Sequence, residues 1–137
     1  MTPSIVFSIC STIVIPQWLL MIVAPKWKWT QKLIRSYIIP VSLAIVYAIY
    51  AVKGLPNANG GFDSLENVMK LFTSQEAVLI GWIHYLAFDL LVGSWVLLTA
   101  QKKQIHHGFV IPCLIGCFML GPVGFLLFWV ICRFKKI

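Results

Sequence analysis

Charged residues are scarce in this sequence of 137 residues, and acidic residues are the scarcest. Only 11% of the residues are charged, with four Asp or Glu against eleven Lys or Arg, whereas 60% are hydrophobic. A soluble domain carries about 25% charged residues, so this composition predicts an integral membrane protein instead. The formal charge of +7 lies in short basic runs beside apolar segments. That pattern favours membrane lipid over nucleic acid as a partner.

Signatures of metal, nucleotide and nucleophile sites are also missing. The sequence has no HExxH, GxGxxG, Walker or CxxC motif, so we predict no metal and no cofactor. The cysteines all fall within apolar segments: Cys10, Cys113, Cys117 and Cys132. Cys113 and Cys117 stand one helical turn apart, with Cβ atoms about 5–6 Å from each other, too far for relaxed disulfide geometry. We therefore expect buried thiols that behave as small hydrophobic side chains.

The start of the chain carries no recognisable targeting segment. No Lys or Arg precedes the first apolar segment, so the charged start of a secretory signal peptide is missing and we expect a retained helix. The Arg- and Ser-rich, acid-poor composition of a transit peptide is missing as well. These observations favour a bacterial plasma-membrane protein, or a chain that has already been trimmed.

Four apolar stretches are present, and each has about the 20 residues needed to cross about 30 Å of hydrocarbon. They are residues 3–24, 33–52, 77–101 and 108–132. We predict an all-α integral membrane protein in which four transmembrane helices form one bundle and residues 1–137 form one domain. The long polar connection should hold a short amphipathic helix at residues 63–72, which is capped by Asp63 or Ser64 and lies on the membrane surface.

The basic residues are almost balanced between the two sides, because four spans put both termini on one side. Six basic residues share a side with the first loop, residues 25–35. Five lie on the opposite side: Lys53, Lys70, Arg133, Lys135 and Lys136. The first hairpin has basic residues after it and none before it, so we predict a cytoplasmic first loop and both termini outside.

Asp89 is the only acidic residue inside an apolar stretch, and it stands at the midpoint of residues 77–101. An ionised carboxylate there costs about 2.5–3.5 kcal/mol, so Asp89 needs protonation, a partner or a wet cavity. Tyr85, four residues earlier, shares its helix face. His84 points about 140° away, so it meets Asp89 only in a cavity wedged between this helix and two neighbours. Asp89, His84 and Tyr85 are candidate catalytic residues for acid–base chemistry or a proton relay.

A structural interpretation of these residues stays open. Asp89 would then bond a backbone carbonyl at a proline kink, and His84 would cap the bundle nearer the interface. Pro122 should bend the last helix and allow close packing, or its freed carbonyls should face the Asp89 cavity. Small residues surround this proline: Gly116, Gly121 and Gly124.

His106 and His107 form the remaining polar feature at the start of the last apolar stretch. Adjacent helical residues diverge by about 100°, which makes them a poor pair of metal ligands. We therefore interpret the pair as interfacial polarity.

Two segments in the last third of the chain form a specific combination, WIHYLAFDLLVGSW at residues 82–95 and HGFVIPCLIGCFMLGPVGFLLF at residues 107–128. This combination resembles the abscisic-acid-deficient-four-like family of small four-helix membrane proteins. The family motif falls on His84, Phe88, Asp89, Gly93, Trp95, Pro112, Gly121, Pro122 and Gly124. Ser94 and Gln101 depart from the motif, because the family commonly has an Arg and an acidic residue there.

The resemblance implies a function like that of the plant plastid members, which are needed for neoxanthin synthesis. It implies that a carotenoid epoxide such as violaxanthin, or another isoprenoid, is isomerised to an allenic product. Asp89 would be the base or orienting carboxylate, and His84 the acid. The substrate would contact Phe88, Gly93, Trp95, Pro112, Gly121 and Pro122. Two other functions stay open: a non-catalytic lipid-binding or scaffold protein, and a small proton-coupled transporter assembled as a homo-oligomer.

Overall fold

The computed structural model describes residues 1–135, and every regular element in that range is a helix. The helices are α1 (Pro3–Val23), α2 (Lys28–Ser36), α3 (Ile38–Gly54), α4 (Leu65–Leu71), α5 (Gln75–Lys102) and α6 (His107–Phe134), with a 3-10 turn at Leu55–Asn57. Within those residues, four helical stretches are long and apolar enough to cross a membrane. The predicted all-α membrane protein is therefore confirmed. Lys136, which entered the charge count above, lies outside the described residues.

Helix α5 is the centre of the bundle, since α1, α3 and α6 all pack against it. Apolar residues recur on several of its faces, and Ile83, Leu90 and Val96 are fully buried. The other long helices turn large apolar side chains outward, among them Leu19 and Ile45. Exposed apolar faces of this extent suit a lipid surround rather than water.

The segment between α1 and α3 contains a helix, α2, where the sequence predicted a loop over residues 25–35 and a span that starts at residue 33. Helix α2 is amphipathic, because Thr30 and Ile34 are buried while Trp29 and the basic side chains are exposed. Tyr37 then adopts a left-handed conformation, with φ 54°, that ends α2 and starts α3. The second span is therefore α3. The charged segment before it, α2, is an interfacial helix.

The short helix predicted in the second connection is present as α4. Ser64, one of the two predicted caps, accepts a hydrogen bond from the Asn67 N–H at 3.1 Å. Gly60, with φ 90°, lies so close to the backbone of α4 that a Cβ atom there would collide with it. Leu71 is buried while Met69 is exposed, so α4 presents an apolar side to the bundle.

Helix α6 is broken near its middle and folds back on itself. Leu120 leaves the helical region, with φ −145° and ψ 72°. Beyond the break the backbone of Gly124 packs against Gly116, where a Cβ atom would come within 2.8 Å of the Gly124 Cα. The Lys135 Nζ lies 4.7 Å from the centroid of the Phe109 ring. A straight helix would hold those two residues about 39 Å apart.

The fold-back makes α6 a helical hairpin with two arms, residues 107–119 and 121–134. Each arm is about 20 Å long at 1.5 Å per residue, which is shorter than a hydrocarbon layer of about 30 Å. Glycines where the arms meet permit this close approach, because they have no Cβ atom. The sequence predicts a single crossing over residues 108–132, bent at Pro122, whereas this hairpin enters the bundle from one end and returns to it.

The hairpin places the first and last described residues at opposite ends of the bundle. The start of α1 lies beside residues 73–79, whereas Lys135 returns to Phe109 near the start of α6. The prediction of both termini on one side is therefore wrong for this structure, since it assumed that α6 crosses the bundle.

Charge is distributed unevenly between the two ends. The end that contains the start of α6 is called the basic end below. Among residues 1–135 it holds eight basic residues and no acidic one: Lys26, Lys28, Lys32, Arg35, Lys102, Lys103, Arg133 and Lys135. The opposite end holds Lys53, Lys70, Asp63, Glu66 and Glu76.

Candidate functional site

Tyr85 connects the central helix α5 to the tip of the α6 hairpin. Pro122 has no N–H, so the Phe118 carbonyl four residues earlier lacks its helical partner. The break at Leu120 frees the Met119 carbonyl as well. The Tyr85 hydroxyl donates toward both carbonyls, at 2.8 Å to Phe118 and 2.9 Å to Met119. One interpretation of the sequence had the freed carbonyls face the cavity of Asp89; in the structure they accept the Tyr85 hydroxyl of α5.

Asp89 lies one helical turn beyond Tyr85 and contacts the same hairpin tip. Its carboxyl group occupies the space that a Cβ atom would take at Gly121. Oxygen Oδ2 is buried and has no hydrogen-bond partner among residues 1–135. The kink carbonyls bond Tyr85 rather than Asp89, which differs from the structural interpretation of Asp89. An unpaired buried carboxyl oxygen is rare and costly, so it marks a candidate site for a ligand or a proton.

A cavity of about 400 Å³ opens beside these two residues, between α1, α5 and the hairpin tip. Its walls are mostly apolar, and its polar groups come from Asp89, Tyr85 and Ser11. At the rim, the Trp82 indole N–H donates to the Ser11 Oγ at 2.9 Å. Trp82 and Met119 are 37% and 61% exposed, on helices whose outer faces are apolar. The cavity is therefore open sideways, toward the hydrocarbon of a surrounding membrane.

The floor of the Asp89 cavity is Trp18 of α1, which packs against the backbone of Gly93. A Cβ atom at Gly93 would sit 2.5 Å from the Trp18 ring. Trp18 in turn meets the Phe118 ring edge-on, with the ring centroids 5.5 Å apart. Because Gly93 has no Cβ atom, the Trp18 ring can lie against its backbone. Packing between α1 and α5 therefore explains the glycine at this motif position.

A buried polar pair lies next to this floor and links the same two helices. The Gln17 amide donates to the Ser94 Oγ at 2.9 Å, and the Ser94 hydroxyl donates to the Leu90 carbonyl at 2.8 Å. Gln17 and Ser94 are fully buried, and the Gln17 Oε1 has no partner in the part of the chain that the structure describes. In a low-dielectric interior such a bond fixes the register of α1 against α5.

His84 does not join Asp89. Its ring lies on another flank of α5, with centroid distances of 5.7 Å to Tyr47 and 4.9 Å to Phe88. There it lines a separate cavity of about 320 Å³ near α4. The body of α5 lies between the two cavities, so the rotation of about 140° that separates the two side chains is not bridged.

Only some of the predicted substrate-contact residues lie near the Asp89 cavity. Gly121 and Pro122 belong to the hairpin tip beside Asp89. Gly93 lies behind the Trp18 floor. Three further predicted positions line no part of the Asp89 cavity: Phe88, Trp95 and Pro112. Trp95 packs instead against two rings of the second hairpin arm, Phe125 and Phe128.

Sequence reasoning missed the α1 side of this cavity. Ser11 and Trp18 line it, but no polarity or period within residues 3–24 distinguishes them from lipid-facing neighbours. Trp82 carried a usable signal, because it precedes Asp89 by seven residues and therefore shares its helix face.

No group of three or more His, Cys, Asp or Glu side chains that could hold a metal ion occurs within residues 1–135. The His107 Nε2 pairs with the Ile22 carbonyl at 2.8 Å, and the His106 Nδ1 accepts the Gly108 N–H at 3.1 Å. The two adjacent imidazoles thus form hydrogen bonds with different backbone groups. The cysteines are free thiols, and three are buried: Cys10, Cys113 and Cys117.

Comparison with known proteins agrees with the motif. The sequence model of the family described as ABA DEFICIENT 4-like matches residues 5–128. The chain is 30% identical over 130 residues to Protein ABA DEFICIENT 4, chloroplastic, from Arabidopsis thaliana. That match covers 88% of this chain and 57% of the plant protein, so the chain spans little more than half of its relative's length. No solved structure matches the chain. This chain therefore belongs to the ABA DEFICIENT 4-like family.

Proposed function

We propose that this protein binds one end of a carotenoid epoxide or another isoprenoid in the Asp89 cavity and isomerises it by acid–base chemistry. The observation that carries the proposal is the buried Asp89 Oδ2, which has no hydrogen-bond partner among residues 1–135 and adjoins an apolar cavity. Relation to the neoxanthin-synthesis family supplies the substrate class.

The shape and lining of the cavity support a lipophilic ligand. Its volume of about 400 Å³ falls within the range of about 300–1,000 Å³ that small-molecule sites occupy. Trp18, Leu86 and Phe118 supply apolar and aromatic walls. The lateral opening lets a membrane-dissolved molecule insert one ring while its long chain stays in lipid. A water-soluble substrate would have no such route.

A single carboxyl group can complete the conversion of an epoxide to an allenic alcohol. Asp89 donates its proton to the epoxide oxygen as the carbon–oxygen bond breaks. The resulting carboxylate then removes a proton from the neighbouring polyene carbon. The electron pair of the broken carbon–hydrogen bond forms the new double bond of the allene. No atom is gained or lost, and the carboxyl group returns to its starting state.

The surroundings of Asp89 assign different roles from those implied by the resemblance. His84 was the expected acid, but it lines another cavity, so we propose no chemical role for it. Tyr85 shares the Asp89 cavity and holds the hairpin tip through Phe118 and Met119. We therefore propose Tyr85 as a positioning residue that keeps the tip and the carboxyl in one arrangement.

The test compares Asp89→Asn and His84→Ala with the wild type in a carotenoid-producing host. Extracted pigments and lipids that co-purify with the protein are identified by mass spectrometry. We expect Asp89→Asn to lose about 10²–10⁴-fold in conversion, the usual contribution of an acid–base group, because its amide cannot exchange the proton. His84→Ala should retain conversion. Equal, nonspecific lipid in all three proteins would contradict the proposal, and specific binding without conversion in the wild type would support a non-catalytic binder.

We also propose an orientation for the protein. Lys and Arg accumulate on the side of a membrane from which a protein is inserted. The basic end should therefore face the cytoplasm, or the equivalent compartment of an organelle, with the first loop on that side. The N-terminal end of α1 should lie on the opposite side.

A further inference from the structure

A second large cavity lies at the basic end, far from Asp89, and the proposed function does not use it. Its volume is about 570 Å³, and it lies between the connection that follows α1, the end of α5 and the start of α6. We infer that this cavity binds the anionic headgroup of a membrane phospholipid. The inference is independent of any chemistry at Asp89.

The cavity is polar at its rim and apolar at its floor. Lys26, Gln104 and His106 stand among its polar lining residues, whereas Leu97 and Val110 are apolar and buried. A free phosphate ion would use only the polar part of such a site. A phospholipid would use both, with its phosphate at the rim and its glycerol and first methylene groups on the floor.

Hydrogen-bond donors at the rim are free to meet a phosphate. The one salt bridge among residues 1–135 joins Lys70 and Glu66 at the opposite end, so Lys26 has no acidic partner in that range. The His106 Nδ1 accepts the Gly108 N–H, so the neutral His106 ring carries its hydrogen on Nε2, which has no hydrogen-bond partner within residues 1–135. An ammonium and an imidazole N–H that line one cavity can both donate to phosphate oxygens.

The cavity is preformed by a network of amides that joins the α1–α2 connection, α2 and α5. The Gln31 amide donates to the Pro25 carbonyl at 2.6 Å and to the Gln101 Oε1 at 2.9 Å. The Gln101 amide donates to the same Pro25 carbonyl at 3.2 Å. Because these bonds fix the wall beside Lys26, a ligand need not order the wall when it binds.

Charge complementarity selects an anionic headgroup. The basic end carries the Lys and Arg residues named above and no acidic side chain within residues 1–135, partly because the hairpin returns Arg133 and Lys135 to it. Such a surface attracts anionic lipids strongly and attracts a zwitterionic headgroup, which carries no net charge, much less. The exposed Trp27 and Trp29 mark this level as the membrane–water interface, where headgroups lie.

The experiment titrates the purified protein in detergent with phosphatidylglycerol, phosphatidylcholine or inorganic phosphate, and follows the melting temperature and lipid adducts in native mass spectrometry. We expect only phosphatidylglycerol to raise the melting temperature and to form a retained adduct. Lys26→Gln should weaken that binding by about fivefold, the usual worth of one cation near an anionic lipid. Lys53→Gln, at the opposite end, is the matched control and should bind as the wild type does.

Three results would overturn the inference. Equal effects of the two phospholipids would show that charge does not select the ligand. Equal stabilisation by inorganic phosphate would assign the site to a free ion. Unchanged phosphatidylglycerol binding in Lys26→Gln would place the lipid elsewhere. None of these results bears on Asp89, because conversion of an isoprenoid does not depend on Lys26 in the proposed chemistry.

Discussion

The Asp89 carboxyl group fills the space beside Gly121 that the Cβ atom of any other residue would occupy. This contact joins the central helix to the tip of a hairpin, at the point where the hairpin backbone has lost its own hydrogen bonds. The same glycine therefore makes room for the one acidic group inside the apolar part of the bundle. Asp89 and Gly121 therefore form a packing contact and also position the candidate catalytic carboxyl group.

Gly121→Ala tests that contact. The new methyl group would collide with the Asp89 carboxyl, so we expect a loss of about 1–3 kcal/mol in stability, the usual cost of overpacking, together with loss of any activity. The melting temperature in detergent measures the effect. Gly81→Ala is the matched control, because the atoms nearest to its methyl group belong to the side chain of Phe72, which is 45% exposed and can move aside. A second change, Asp89→Ala, should recover much of the stability lost in Gly121→Ala.

Tyr85→Phe tests the link between α5 and the hairpin tip. Removal of the hydroxyl leaves the Phe118 and Met119 carbonyls without their donor, so we expect a loss of about 1–3 kcal/mol and faster hydrogen exchange at the tip. Hydrogen exchange followed by mass spectrometry localises the change. Tyr47→Phe removes a hydroxyl on another flank of the bundle, where Tyr47 contacts His84, and serves as control. Equal exchange in both variants would contradict the assigned role of Tyr85.

Ser94→Ala tests the buried polar pair between α1 and α5. The substitution leaves the Gln17 amide without an acceptor, and an unpaired buried amide costs about 1–3 kcal/mol. Replacing both partners, with Gln17→Leu and Ser94→Ala together, should cost less than Ser94→Ala alone. The measurement is the melting temperature of Ser94→Ala, of Gln17→Leu and of the double variant. A double variant that is less stable than either single variant would show that the pair contributes something other than mutual hydrogen bonding.

The sequence predicted the features that composition encodes directly. Hydropathy over about 20 residues reports burial in lipid, so the apolar stretches were found within a few residues of their helices. Asp89 was chosen as a candidate because an ionised acid inside an apolar stretch is expensive wherever it points. Ser64 was found because a helix cap is decided by its own side chain and the next three residues.

Features that depend on direction in space were not predicted. Hydropathy counts apolar residues without regard to where the chain goes, so a hairpin such as α6 has the same profile as a straight span. Pro122 and its glycines indicated a bend, but the size of the bend depends on packing of one arm against the other. The sequence put His84 and Asp89 on different flanks of α5 and left open a cavity in which both could meet, because helix rotation alone does not say which neighbour covers each flank.

Labelling from the two sides of a membrane tests the hairpin. Single cysteines replace Lys70, Lys102 or Lys135 in a chain whose four native cysteines are alanine, and a membrane-impermeant maleimide is added to sealed vesicles. We expect Lys102→Cys and Lys135→Cys to react from the same side and Lys70→Cys from the other, because Lys135 returns to Phe109 at the basic end. A span over residues 108–132 would make Lys135→Cys react together with Lys70→Cys. Retained melting temperature in the cysteine-free chain is the control, since Cys117 lies against Gly124 inside the hairpin.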